Sequence, residues 1–94
     1  MPANDESLIS RVKASDVNAF ETLFRTYYPL LFRQVWFRAH DADLAEDIAQ
    51  ETFVRVWLNR GSLKPAPSFL PLLLRIAANL LKDHFKHEAV KSKG

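Results

Sequence analysis

The chain of 94 residues contains no cysteine and only two glycines. Without thiols it can form neither disulfide bonds nor thiolate metal sites, which fits a protein of the reducing cytoplasm. Its first residues, MPANDESL, lack the basic and apolar regions of a signal peptide. The longest apolar stretch, residues 70–81, contains Pro71, Arg75 and Asn79 and is too short to cross a bilayer. The sequence therefore predicts a soluble, cytoplasmic protein without membrane insertion.

Apolar residues recur at helical spacing along most of the chain, and no alternating stretch is long enough to predict a strand. With 48% hydrophobic residues the chain can bury a core. A domain this short closes most simply by packing helices on helices. We therefore expect an all-α fold, a compact bundle of about four helices.

Capping residues set the expected boundaries of the first two helices. The first helix covers residues 6–14. The second begins after Asp16, which is a suitable N-cap, and runs to about Ala39. It contains Pro29, which removes one backbone hydrogen bond and is expected to kink the helix.

The third and fourth helices are expected on either side of the proline-containing loop SLKPAPS. Asp43, with Glu46 three residues later, predicts a capping box that opens the third helix, and Gly61 closes it. Ser68 is expected to cap the fourth helix, which runs to about His87. The polar tail EAVKSKG then frays.

Charge is distributed unevenly between the two parts of the chain. Residues 1–61 hold seven Lys and Arg against nine Asp and Glu, whereas residues 62–94 hold six against two. An acidic part and a basic part are suited to two different partners.

Five carboxylates and no basic residue occur between Asp41 and Glu51. On a helix, the stripe expected to face the core contains Ala45, Ile48, Ala49, Thr52, Phe53 and Val56. The opposite stripe contains Asp47, Gln50, Glu51, Val54 and Leu58, with Trp57 at its border. Such a stripe is often only a solvated face. Its mixture of acidic and apolar groups also suits docking on a partner helix that carries arginines.

A row of polar residues follows the predicted fourth helix at spacings of four, three and four: Arg75, Asn79, Lys82 and Lys86. The expected buried face of this helix contains Phe69, Leu72, Leu73, Ile76, Ala77 and Leu80. Cations in such a row can follow a phosphate backbone, and an Asn among them can bond a base edge. A solubilising surface is the alternative interpretation.

No catalytic or metal-binding set is evident in the sequence. The first aspartates of the acidic region do not make a calcium loop, because Ala45 and Glu46 stand where a ligand and a glycine are needed. His84 and His87 can touch one metal ion, but no carboxylate or thiol is grouped with them, which favours a surface role. We expect no enzyme activity, no metal and no cofactor.

Three segments carry a resemblance to a known family: DADLAEDIAQETFVRVWLNR, SFLPLLLRIAANLLKDHFKH and DVNAFETLFRTYYPLLFRQVWF. The first two are similar to regions 2.2 to 2.4 of the extracytoplasmic-function sigma factors of bacterial RNA polymerase, and the third is similar to regions 1.2 and 2.1 of that family. The most specific parts are AED-x-x-QE-x-F-x-x-x-W and F-x-x-x-L-x-RIA-x-N, which occur in the family's order and separation. The resemblance covers residues 5–87 and identifies them as sigma domain 2.

The resemblance implies two partners and assigns residues to each. Asp47, Gln50, Glu51, Val54, Trp57 and Leu58 are expected to dock on the clamp helices of the polymerase β′ subunit. Arg75, Asn79, Lys82 and Lys86, together with the SLKPAPS loop before the fourth helix, are expected to bind the −10 promoter element, mainly its non-template single strand, with one base turned into a protein pocket. An anti-sigma factor is a further partner known in this family. The remaining alternative is a helical adaptor that binds protein only and no DNA.

The chain departs from the family pattern at two positions and in its length. Leu72 stands where the family commonly has Trp, and Ala78 where it often has Arg. The second, helix-turn-helix domain of the family is not found in the 94 residues. Residues 88–94 are therefore expected to begin an interdomain linker.

Overall fold

The computed structural model describes residues 4–93, which contain four α-helices and one short 3-10 turn. In chain order they are α1 (Glu6–Lys13), α2 (Val17–Ala39), α3 (Ala42–Leu58), the 3-10 turn Arg60–Ser62 and α4 (Leu70–Lys93). The described residues contain no strand, and the predicted all-α bundle is confirmed.

Local capping explains the junctions at both ends of α2. Ser15 has a left-handed φ of 70° and turns the chain after α1. Asp16 is extended, and its carboxylate accepts a hydrogen bond from the first turn of α2, as the sequence predicts. The helix ends where predicted, because His40 takes a left-handed conformation and donates its N–H to the Trp36 carbonyl. Pro29 lies inside α2, and the kink there stays a prediction.

The start of α3 differs from the prediction by two residues. Asp41 is the N-cap, since its backbone is extended (φ −146°, ψ 114°) and its carboxylate accepts a hydrogen bond from the Leu44 N–H at 3.1 Å. The predicted cap at Asp43 is therefore wrong. Asp43 instead lies in the first turn, where its negative charge suits the helix dipole.

Of the other predicted boundaries, the C-terminal ends of α3 and α4 shift, whereas the start of α4 agrees with the prediction. Gly61 does not close α3 but lies in the 3-10 turn, because Asn59 already caps the helix through the Arg55 carbonyl. Ser68 accepts a hydrogen bond from the Leu70 N–H at 3.3 Å, which confirms its role at the start of α4. The prediction that the helix ends near His87 is wrong, since α4 continues to Lys93. Residues 88–93 include no glycine or proline that would stop it.

Helix α2 is central to the packing. It contacts α1, α3 and α4, and α3 also contacts α4. The largest fully buried side chains are Phe69, Leu23, Leu31, Leu73, Val12 and Thr52. Of the helices described between residues 4 and 93, none carries an apolar stretch long enough to traverse a bilayer.

One face of α4 is less buried than predicted. Phe69, Leu73 and Ala77 are buried as expected, and Leu81 continues their stripe. The predicted core residues Leu72, Ile76 and Leu80 are only half buried. The helix is rotated so that these three side chains border an open pocket rather than the centre of the bundle.

Candidate functional site

The outer surface of α3 brings together five of the six residues predicted for protein docking. Asp47, Gln50, Glu51, Val54 and Leu58 are all exposed on the side opposite the core. Val54 is 49% and Leu58 71% exposed, so aliphatic groups stand in water beside the acidic ones. We call these five residues, together with Trp57, the α3 face.

Trp57 lies at the border of the α3 face and is held there from two sides. Its ring centre is 5.0 Å from that of Phe20 on α2. The Arg60 guanidinium lies over the ring, 4.2 Å from its centre. Arg60 is itself fixed, because Nη1 donates to the Trp57 carbonyl at 2.8 Å and Nε to Ser15 Oγ at 2.7 Å. Trp57 therefore offers a firmly placed, half-exposed apolar edge.

Two polar groups of the α3 face have weak partners one turn away on α3. Glu51 pairs with Arg55 one turn later at 3.4 Å, and Gln50 donates to Glu46 at 3.4 Å. Both contacts are exposed, so solvent screens them. Tyr28 of α2 lies beside Glu46 and Gln50, and burial, together with the Glu46 carboxylate, raises the pKa of its hydroxyl. Because Asp47 and Glu51 are exposed and the Glu51–Arg55 pair is weak, both carboxylates are accessible to an external cation.

The predicted basic row is exposed along α4. Arg75, Asn79, Lys82 and Lys86 all face solvent, and the helical rise spreads them over about 16 Å. The structure divides this row into two parts. Arg75 and Asn79 line a pocket, whereas the two lysines continue the row beyond the pocket lining.

The pocket lies between the C-terminal end of α3, the loop of residues 62–69 and α4. Its volume is about 550 Å³. Apolar side chains form much of its wall: Ile9, Val56, Leu63, Phe69, Leu72, Ile76 and Leu80. Polar and charged side chains also line it: Arg55, Asn59, Ser62, Lys64, Ser68, Arg75, Asn79 and Asp83. We call this cavity the α4 pocket.

Arg55 is a pocket residue that sequence reasoning did not assign to a site, and Lys64 was included only as part of the loop expected to bind DNA. Arg55 lies on the flank of α3 between the α3 face and the pocket, which the helical period alone does not reveal. Lys64 comes from the SLKPAPS loop, whose path depends on tertiary contacts. Within residues 4–93, the three Lys and Arg side chains that line the pocket, Arg55, Lys64 and Arg75, thus come from three different segments.

The described part of the chain holds no group of three His, Cys, Asp or Glu side chains placed to share a metal ion. His84 is half buried, and its ring centre is 5.7 Å from that of Phe85. His87 is exposed on the same helix.

The chain matches the sigma-70 region 2 family over residues 23–90. It is 34% identical over 80 residues to the RNA polymerase sigma-H factor of Pseudomonas aeruginosa, covering 85% of this chain and 42% of that protein. The RNA polymerase sigma factor CarQ of Myxococcus xanthus is 34% identical over 80 residues, 85% of this chain and 46% of CarQ. The ECF RNA polymerase sigma factor BldN of Streptomyces coelicolor is 34% identical over 80 residues, which cover 84% of this chain and 30% of BldN.

The chain thus spans less than half the length of these relatives. Comparison with solved structures gave no significant match.

Proposed function

Since this chain belongs to the sigma-70 region 2 family and to its extracytoplasmic-function group, we propose that it is the promoter-recognition domain of an alternative sigma factor. In this proposal the α3 face docks on the β′ clamp helices of RNA polymerase. The α4 pocket and the basic row bind the non-template strand of the −10 element and help to melt it. The domain acts by binding and carries out no catalysis.

The composition of the α3 face supports the docking half of the proposal. Interfaces combine apolar contact with a rim of polar groups. Here Val54 and Leu58 supply exposed aliphatic surface, Trp57 supplies a fixed aromatic edge, and the carboxylates of Asp47 and Glu51 suit arginines on a partner helix. Holding Trp57 in place before binding lowers the entropy cost of docking.

The α4 pocket is the observation that carries the DNA half of the proposal. Its volume of about 550 Å³ lies within the range of about 300–1,000 Å³ that is usual for small-molecule sites. The apolar wall offers a nonpolar surface to the face of an unstacked base. The Asn79 amide at the rim can bond a base edge, and the cations around it can hold the adjoining phosphates.

The two departures from the family pattern have different consequences. Leu72 lines the α4 pocket, so one wall is aliphatic where the family commonly has an aromatic ring. Ala78 lies on the other side of α4, beside Leu74 and Ala77 and facing α2. The Leu72 departure therefore concerns base stacking, whereas the Ala78 departure lies outside the proposed base site.

Fluorescence titration of single-stranded −10 oligonucleotides, matched or changed at one base, tests the DNA half. Lys82→Ala should weaken the binding of all oligonucleotides equally. It should also flatten the slope of log K against log salt by about 0.7, as the loss of one phosphate contact requires. Asn79→Ala should keep the salt dependence and lose about 1–3 kcal/mol of discrimination at one base. Lys13→Ala, an exposed charge change on α1, is the matched control and should change neither quantity.

The same titration separates the sigma proposal from the protein-only adaptor. An adaptor should bind β′ clamp helices yet show no salt-dependent binding of −10 DNA, even when it is bound to polymerase. If Asn79→Ala weakens matched and mismatched oligonucleotides equally, Asn79 does not read a base, and the 62–69 loop becomes the candidate reader.

A further inference from the structure

Asp5 is a buried carboxylate that belongs to neither proposed binding surface. It precedes α1, and only 3% of its surface is exposed. Burying a carboxylate is costly unless hydrogen bonds compensate it. The partners of Asp5 therefore indicate what the group does.

Each of these partners lies far from Asp5 in the sequence. The Asp5 carboxylate accepts hydrogen bonds from the Phe69 N–H at 2.8 Å and from the Tyr27 hydroxyl. The Asp5 N–H donates to the Pro67 carbonyl at 3.0 Å. These contacts tie the start of the chain to α2 and to the last residues of the 62–69 loop. We call this group, Asp5 with Tyr27, Pro67 and Phe69, the Asp5 latch.

Helix capping does not account for the Asp5 side chain. Asp5 stands at the N-cap position of α1, but its carboxylate makes no capping hydrogen bond to that helix. The Glu6 N–H is bonded by the side chain of Asn4 instead, at 2.8 Å. The carboxylate is used across 64 residues of sequence to fix the backbone of the loop.

The loop that the Asp5 latch holds is a wall of the α4 pocket. Ser68 and Phe69 both line the pocket, and Pro67 directly precedes them. Pro65 and Pro67 have no N–H, so this loop has fewer backbone donors with which to fix its own conformation. Burial and the hydrogen bond to Asp5 raise the pKa of Tyr27, which keeps its hydroxyl protonated as the donor.

We propose that Asp5 and Tyr27 are positioning residues that hold the 62–69 loop in its base-binding conformation. They set base discrimination in the α4 pocket without touching DNA. This inference rests on the proposed function, because it assigns a role within the same pocket.

Three variants test the Asp5 latch. Tyr27→Phe keeps the ring and removes the hydroxyl. Asp5→Asn keeps an oxygen that can accept both hydrogen bonds, and Asp5→Ala removes it. Asp41→Ala is the matched control, since it deletes another N-cap aspartate at the end of α3 away from the loop. Each variant is assayed below its unfolding temperature, as measured by circular dichroism.

Two readouts distinguish positioning from general stability. The first is the ratio of affinities for matched and mismatched −10 oligonucleotides, in the chain bound to core polymerase. The second is amide hydrogen exchange of Phe69. Asp5→Ala should reduce the ratio about fivefold or more, as the loss of one base reading requires, and should speed exchange of Phe69. Tyr27→Phe should act in the same direction, and Asp5→Asn should retain more of both properties. Asp41→Ala should leave both unchanged.

Unchanged discrimination in folded Tyr27→Phe and Asp5→Ala would overturn the inference and leave the Asp5 latch as a structural tie. If Asp5→Ala does not fold, the affinity ratios of Tyr27→Phe and Asp5→Asn test the inference instead. If the unmodified chain itself fails to discriminate between the oligonucleotides, the proposed base pocket is wrong. In that case the exchange of Phe69 in Tyr27→Phe, which leaves the Asp5 carboxylate in place, still reports whether the Tyr27–Asp5 hydrogen bond orders the end of the loop.

Discussion

Reversing the charge of Glu51 is expected to impair docking without unfolding the protein. The Glu51 side chain is 49% exposed and pairs with Arg55 on the same helix at 3.4 Å. An exposed pair at this spacing is worth about 0.3–0.5 kcal/mol, so Glu51→Arg should cost the fold no more than roughly 1 kcal/mol. A charge-assisted hydrogen bond to a partner arginine is worth about 1.5–3 kcal/mol. Its loss should weaken binding roughly 10- to 150-fold.

The assay is a titration of the labelled chain with core RNA polymerase at fixed salt, alongside thermal unfolding. Glu21→Arg is the matched control, because Glu21 is similarly exposed and pairs with Arg25 at the same helical spacing, but on α2. It makes the same charge change outside the α3 face. Wild-type affinity in folded Glu51→Arg would refute the docking assignment. An equal loss of affinity in Glu21→Arg would show that the effect of Glu51→Arg comes from the change in net charge and not from its position.

Two further predictions concern stability. Phe53→Ala should lower the free energy of unfolding by about 3–5 kcal/mol, because the ring is 2% exposed and lies 4.9 Å from Phe24. Val54 is the exposed neighbour of Phe53, and Val54→Ala should change the free energy of unfolding by about 0.5 kcal/mol or less. Denaturant unfolding measures both variants. Hydrogen bonding to the α2 backbone and to Arg11 lowers the pKa of Asp16 below its ordinary value of 3.8. The extra free energy of unfolding that Asp16 gives over Asp16→Asn should therefore be fully present above pH 3.8 and should vanish as pH falls through the lower pKa of the folded protein. A pH-independent difference would contradict this.

The helices could be predicted from sequence because apolar periodicity and capping residues agree along most of the chain. Asp16 shows where this works, since the residue predicted to cap α2 accepts the capping hydrogen bond in the structure. Before α3 there are two, Asp41 and Asp43, and composition does not choose between them. The left-handed turn at His40 ends α2 and leaves Asp41 extended, so Asp41 caps α3. That choice depends on backbone geometry at the preceding junction.

The α3 face was predicted more completely than the pocket. A surface on one helix follows from the helical period, and the structure exposes the predicted residues together. The α4 pocket needs three segments to meet. The contribution of Arg55 has no signal in the sequence, and Lys64 is indicated only as part of the loop. The half burial of Leu72 depends on how α4 is rotated against α2 and α3. Tertiary packing fixes these features.

Leu72 also affects which groups can distinguish bases in the proposed site. A flat aromatic wall stacks on any base and adds affinity with little dependence on sequence. Where that wall is aliphatic, less of the binding energy comes from stacking, and more must come from edge contacts such as that of Asn79. Hydrogen bonds are sensitive to distance and angle, so such contacts tolerate little displacement of the opposite wall. That wall includes the loop that Asp5 holds. A pocket with Leu72 should therefore depend more strongly on a fixed loop than a pocket with a stacking ring.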